Sequence, residues 1–270
     1  MTMSSPSPVG ENRPGVQTAL FVTCLIDMFR PSAGFAAVKL LEEAGCEVHV
    51  PASQPCCGQP AYNSGDWQTT KTIAKQVIAA FEEVPGAYVI VPSGSCAGML
   101  CKHYPALFDP EEEAAWHRRA EAFAGRVHEL TSFLADVLGI DFTGRAYPRR
   151  VTYHDSCSSF REMAVAAQPR KLLKSLDGIS LVEMSDREVC CGFGGTFSVK
   201  YPDISNAMVS QKVARAVETK AEVLTGADLG CLMNIAGKLS REGKPMEVRH
   251  IAEILADEVS EPGLCAGRGK

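Results

Sequence analysis

A chain of 270 residues with 46% hydrophobic content is long enough for one large domain or two compact ones, with a real core. Its formal net charge of -5, with acids and bases interspersed and no charged tail, excludes a nucleic-acid surface, and no run approaches the about 18 apolar residues of a membrane span. The opening MTMSSPSPVGENRPG lacks the charged start and apolar stretch of a signal peptide, so residues 1–17 read as a disordered arm and the protein as cytoplasmic. In that reducing compartment, eleven cysteines point to metal binding or redox work rather than to a disulfide framework.

In chain order, the apolar run TALFVTC (18–24) predicts a strand ending on Cys24, and FAAVKLLEEAG (35–45) a helix closed by glycine. A short strand, CEVHVP (46–51), leads to the double cysteine Cys56-Cys57-Gly58, followed by the helical period of TTKTIAKQVIAAFEE (69–83). AYVIVPSGSC (87–96) is a third strand ending on Cys96, where a helix begins with AGML. DPEEEAAWHRRAEAFAG (109–125) is a polar, helical, solvated insertion before the closing segment RVHELTSFLADVLG (126–139). The series then starts again: RRVTYHDSC (149–157), PRKLLKSLDG (169–178), ISLVEM (179–184), the double cysteine Cys190-Cys191-Gly192, SNAMVSQKVARAVETK (205–220), AEVLTGADLGC (221–231), LMNIAGKL (232–239) and EVRHIAEILADEV (247–259).

The chain is therefore written twice. Cys24 pairs with Cys157, Cys56 and Cys57 with Cys190 and Cys191, and Cys96 with Cys231, at offsets of 133 to 135. Strands alternating with helices predict an α/β fold of two pseudo-symmetric repeated domains, each a small parallel sheet flanked by helices: 18–148 and 149–259, with 260–270 as a tail. Ligands of such sheets collect at the carboxyl ends of strands, where Cys24, Cys96, Cys157 and Cys231 each follow an apolar run.

Thiolates in fours suit an iron-sulfur cluster or zinc. Structural zinc sites use two close cysteine pairs, which neither half has. Adjacent cysteines diverge and reach different metals of a polynuclear centre more readily than one ion. Gly58 in the first loop, and Gly192, Gly194 and Gly195 in CCGFGG, allow close approach, positive φ and amide donors aimed at sulfur. Zinc in one half stays open. His154 and Asp155, just before Cys157, read either as a metal ligand or proton relay beside the second site or as a hydrogen-bonded strand-end pair. Cys46 and Cys265 have no counterpart in the repeat and read as packing residues, and Cys101 is at a poor angle to share a ligand with Cys96. With its richer glycine loop, the second half is expected to face substrate or redox partner while the first relays electrons or supports the fold. No dinucleotide fingerprint is present, because GFGGTF belongs to the cysteine loop.

The spacings CX31CC with X38C, and CX32CC with X39C, resemble the CCG cysteine-rich domain that occurs twice in the cysteine-rich component of heterodisulfide reductase and in the iron-sulfur component of glycolate oxidase. SGSCAGML, YHDSCSSFRE, CCGFGGTFSVKYPDIS and GCLMNIAG narrow the resemblance to the lactate utilisation protein A family, from about Thr18 to Asp257. The resemblance implies an iron-sulfur redox subunit that works with a ferredoxin-like iron-sulfur subunit and a third small subunit to oxidise L-lactate to pyruvate. In the reductase each motif ends in CXXC, giving five thiolates per cluster, whereas here those last positions are Met99 and Asn234. Four thiolates per half suit an ordinary 4Fe-4S cluster. The alternatives are a thiol/disulfide redox subunit like heterodisulfide reductase, and a zinc-stabilised scaffold.

Overall fold

The computed structural model describes residues 15–266. Of the expected arm, residues 1–14 lie outside the described residues, while Val16 and Gln17 already belong to a strand, paired with Cys46 and Glu47. The first sheet comprises β1 (Val16–Leu20), β2 (Cys46–His49), β3 (Tyr88–Val91) and β4 (Val127–Glu129), all parallel, in the order β2-β1-β3-β4. The second repeats it with β5 (Arg150–Tyr153), β6 (Ser180–Val182), β7 (Val223–Gly226) and β8 (Glu247–His250), in the order β6-β5-β7-β8. The inner strands are apolar because helices cover both faces of a parallel sheet. Thus Val89, Ile90 and Val91, and Val223 and Leu224, are fully buried. Three strands per half match the sequence expectation; the fourth comes from the short closing segments.

Local signals set the helices. Pro31 opens Pro31–Glu43 and Pro202 opens Pro202–Glu218, where the missing N–H costs nothing. The side chain of Asp66 accepts from the Thr69 amide at 3.1 Å and starts Trp67–Glu82. The polar insertion is helical over Ala114–Ala124, but one face buries Ala120 and Phe123.

The two halves are fused rather than strung. Helix Pro31–Glu43 of the first packs against Ile251–Leu255 of the second, and Ala167–Lys174 of the second against the turn around Leu130–Val137 of the first. One buried apolar cluster runs through both, from Leu40, Leu41 and Phe133 to Tyr153, Leu172 and Leu255. Part of the expected tail is tied down as well: the Arg30 guanidinium donates to the Pro262 carbonyl at 2.8 Å, and the Leu264 amide to Val248 at 2.9 Å.

Strand order positions the site. From β1 the chain goes out to β2 on one side and returns to β3 on the other, so a crevice opens between the carboxyl ends of β1 and β3, and likewise between β5 and β7. The strand-end cysteines flank those crevices from the first turns of the following helices. Cys24 and Cys157 open Cys24–Phe29 and Cys157–Arg161, while Cys96 and Cys231 are third in Gly94–Gly98 and Leu229–Arg241.

Candidate metal centre

Each double cysteine is carried on a loop after the outer strand and turned by a glycine with positive φ, +80° at Gly58 and +82° at Gly192. At Gly192 the requirement is also steric, since a Cβ would stand 2.7 Å from the Ser205 carbonyl oxygen. Gly194 and Gly195 are likewise left-handed, at +51° and +59°. The turn aims the Gly192 amide at Cys190 Sγ, at 3.4 Å. The carbonyl of the second cysteine is braced in both halves by different side chains: Tyr104 Oη donates to Cys57 at 3.0 Å, and Asn234 Nδ2 to Cys191 at 2.9 Å.

The sulfurs of the adjacent cysteines stay in contact, Cys56 with Cys57 and Cys190 with Cys191, but each also turns to a different strand-end cysteine. Cys56 Sγ meets Cys24 Sγ at 3.6 Å while Cys57 Sγ meets Cys96 Sγ at 3.5 Å, giving a run of four sulfurs. In the second half the same contacts link Cys157 to Cys190 and Cys191 to Cys231. The first cysteine of each pair is the natural thiolate. Hydrogen bonds from Cys24 and Cys57 hold Cys56 down at about 3, and Cys157 and Cys191 hold Cys190 down at about 2. Their partners Cys24, Cys57, Cys157 and Cys191 are driven the other way, first by those same contacts and then by burial.

This donor set fits a thiolate-bound metal centre. Metal–sulfur bonds of about 2.3 Å in a tetrahedron place sulfurs about 3.8 Å apart, close to the paired distances here. Among the described residues no three sulfurs of a set lie within 4.8 Å of one another, so each set is wider than the tetrahedron of one ion and suits a polynuclear centre.

Both sets open on one cavity of about 360 Å³ between the halves. Cys24, Cys56, Cys57 and Cys96 reach its wall from one side, and Cys157 and Cys231 from the other. Its seam is Asp228, a buried carboxylate just before Cys231. Oδ1 accepts from Ser93 Oγ at 2.7 Å, Ser95 Oγ at 2.6 Å and the Ser95 amide at 3.0 Å, all from the first half, and Oδ2 accepts from the Ser156 hydroxyl. A Cβ on Gly94 would fall 1.8 Å from Ser159 Oγ, so the helices carrying Cys96 and Cys157 touch backbone to side chain. Sequence reasoning missed Asp228, Tyr104 and this junction. Its one visible trace is that Ser93 and Asp228 stand at matching positions, three residues before Cys96 and Cys231.

The two residues expected to do proton chemistry part company. Asp155 is buried and faces Arg170, which donates to both carboxylate oxygens at 2.9 and 2.7 Å and pairs also with Glu183. His154 faces the thiols. Its ring is buried, which together with the nearby Lys212 ammonium pushes its pKa down to about 4. Outside the two sets, Cys46 is buried in β2, Cys101 packs on the first-half core within the widened turn Met99–His103, and Cys265 packs on the second-half core.

The cysteine-rich domain family, CCG, matches residues 18–101 and 151–236. Lactate utilization protein A of an Exiguobacterium species is 50% identical over 243 residues, 90% of this chain and 98% of that protein. The protein of the same name from Oceanobacillus iheyensis is 50% identical over 240 residues, 89% of this chain and 96% of its own. The chain belongs to the lactate utilization protein A family. A crystal structure of a hypothetical protein from Helicobacter pylori shares the fold at TM-score 0.59 and 11% identity; it matches 97% of this chain, which spans about half, 52%, of that one. Among the described residues, no helix is long and apolar enough to cross a membrane.

Proposed function

We propose that the chain is the iron-sulfur redox subunit of a cytoplasmic complex that oxidises L-lactate to pyruvate in lactate utilisation. It works with a ferredoxin-like iron-sulfur subunit and a third small subunit. The relatives' name supports the substrate, and one observation carries the role: all four cysteines of the first set, and Cys157 and Cys231 of the second, line a single cavity. In this reading, domains 18–148 and 149–259 each hold one centre through Cys24, Cys56, Cys57 and Cys96, or through Cys157, Cys190, Cys191 and Cys231. Bound there, a 4Fe-4S cluster supplies one-electron chemistry. The chain's own part is to fix the sulfurs, aim the Gly192 amide at one of them and keep water from the buried thiols.

Electron transfer suits the wall better than lactate binding. Among the lining residues the only charged ones are Glu162 and Asp228, both acidic. A lactate carboxylate placed among them and the thiolates would meet like charge in a low-dielectric site. Lactate is then oxidised at another component, and electrons pass through this chain. The thiol/disulfide alternative loses ground because the position of a fifth thiolate is taken by Asn234, which braces Cys191, and by Met99, which is buried in the core.

Zinc in the second half is favoured by one observation, the close grouping of His154, Cys191 and Cys231. Anaerobic purification with iron, sulfide and zinc analysis and EPR decides. Brown protein with iron, sulfide and cluster signals is expected; colourless protein with stoichiometric zinc would replace the redox subunit with a scaffold.

A further inference from the structure

One difference between the two halves falls at the ends of β1 and β5. The Phe21 amide donates to the Ile90 carbonyl at 2.9 Å, and the His154 amide makes the same bond to Thr225 at 2.8 Å, so Phe21 and His154 occupy equivalent positions at the ends of β1 and β5. Phe21 turns into an apolar core and packs on Phe81 with ring centroids 5.8 Å apart. His154 has no such company. It is 2% exposed, and among the described residues neither ring nitrogen has a hydrogen-bond partner. Burying a polar ring with both nitrogens unpaired is costly, because each loses its hydrogen bonds to water and gains none in return. A ring nitrogen also lies within 4.8 Å of the sulfurs of Cys191 and Cys231, which are themselves within that distance of each other.

We propose that His154 is a direct metal ligand of the second centre, which is thereby a mixed cysteine–histidine site, whereas the first is bound by thiolates alone. A coordinate bond takes one of the two unpaired nitrogens. The inference rests on the reading that this half holds a metal centre.

The test loads the metal-free full-length chain with cobalt(II) under anaerobic conditions and records pulsed EPR on protein labelled with 15N-histidine. One histidine nitrogen coupled to cobalt is expected in the parent chain. It is lost in His154→Phe, which installs the residue the first half already carries at this place, and in His154→Cys, which keeps the cobalt but adds sulfur-to-metal absorption. Cobalt bound with no histidine coupling overturns this proposal alone, as does a coupling that persists in His154→Phe. A chain that takes up no cobalt overturns the metal-centre reading along with it. The parent chain decides by itself should a variant fail to fold.

Discussion

The halves of this molecule share a sheet order, a cysteine register and a glycine turn, yet at equivalent positions they place different chemistry. Phe21 answers to His154, Ser93 to Asp228 and Glu129, at the end of β4, to His250, at the end of β8. Thr23, before Cys24, carries a φ of +69°, strained for a β-branched residue, while its counterpart Ser156 has an ordinary φ of -70° and caps the Ser159 amide. Duplication supplied two equal thiol sets, and the difference between them lies in what surrounds each set. The first is walled by aromatic and aliphatic side chains. The second holds His154, Asp228 and the buried Lys212, whose ammonium donates to the Asp186 and Arg187 carbonyls, both at 3.0 Å.

The largest test of that comparison is to remove one set at a time. Cys191→Ser should strip about half of the bound metal and abolish lactate-dependent electron transfer by the reconstituted complex, and Cys57→Ser should strip the other half. If either substitution empties both sets, as measured by metal analysis, the two centres are one unit and the comparison of independent halves fails.

The glycine turns come next. A Cβ at Gly192 meets both a positive φ and the Ser205 carbonyl at 2.7 Å, whereas at Gly58 its nearest neighbour is the Ile73 side chain at 3.2 Å. Gly192→Ala should therefore cost about 4 kcal/mol, combining left-handed strain with overpacking, and Gly58→Ala about 1–2 kcal/mol from backbone strain. Denaturant unfolding measures both, and equal costs would show that the second loop is no tighter than the first.

Glu129 and His250 sharpen the contrast through pH. Burial pushes Glu129 up to about 7 from an ordinary 4.5, against hydrogen bonds from Thr131 and Ser132. Between those values the folded state keeps a proton that the unfolded chain releases, so this contribution to stability falls as pH rises from 4.5 to 7, by about 3 kcal/mol at most. Burial shifts His250 down, so its contribution runs the other way and is lost as pH drops below the ordinary histidine range. Glu129→Gln should flatten the stability profile between pH 4.5 and 7 and leave the acid side intact. A slope that survives the substitution would assign it elsewhere.

The smallest effects belong to the cysteines outside the repeat. Cys46→Ala and Cys265→Ala should leave bound metal unchanged and cost about 1 kcal/mol of packing each. Loss of metal from either would redraw the ligand sets.

Much of this was legible in the residues. The register of eight cysteines and the alternation of apolar runs with helical periods announce two α/β units, and CCG followed by helix-forming sequence announces a glycine-turned thiol loop. His154 and Asp155 were legible only as a pair, because adjacent positions on a strand end point to opposite sides, and sequence does not say which side faces the thiols. The fork of Arg170, fifteen residues further on, takes Asp155 out of the site and leaves His154 in it.

What the sequence determined by itself was local and repetitive: which segments are strands, which thiols share a register, and where glycine must turn the chain. These follow from side-chain period and backbone sterics, which act over a few residues. Tertiary structure alone decided that the first thiol set and the strand-end cysteines of the second line the same cavity and that Asp228 ties Ser93 and Ser95 across the seam. The same holds for the unpaired His154 ring beside Cys191 and Cys231. The physical reason is that periodicity records whether a face is buried and not against what. The docking of one half on the other is set by shape, as at Gly94 against Ser159, and by a few desolvated polar groups whose partners lie more than a hundred residues away.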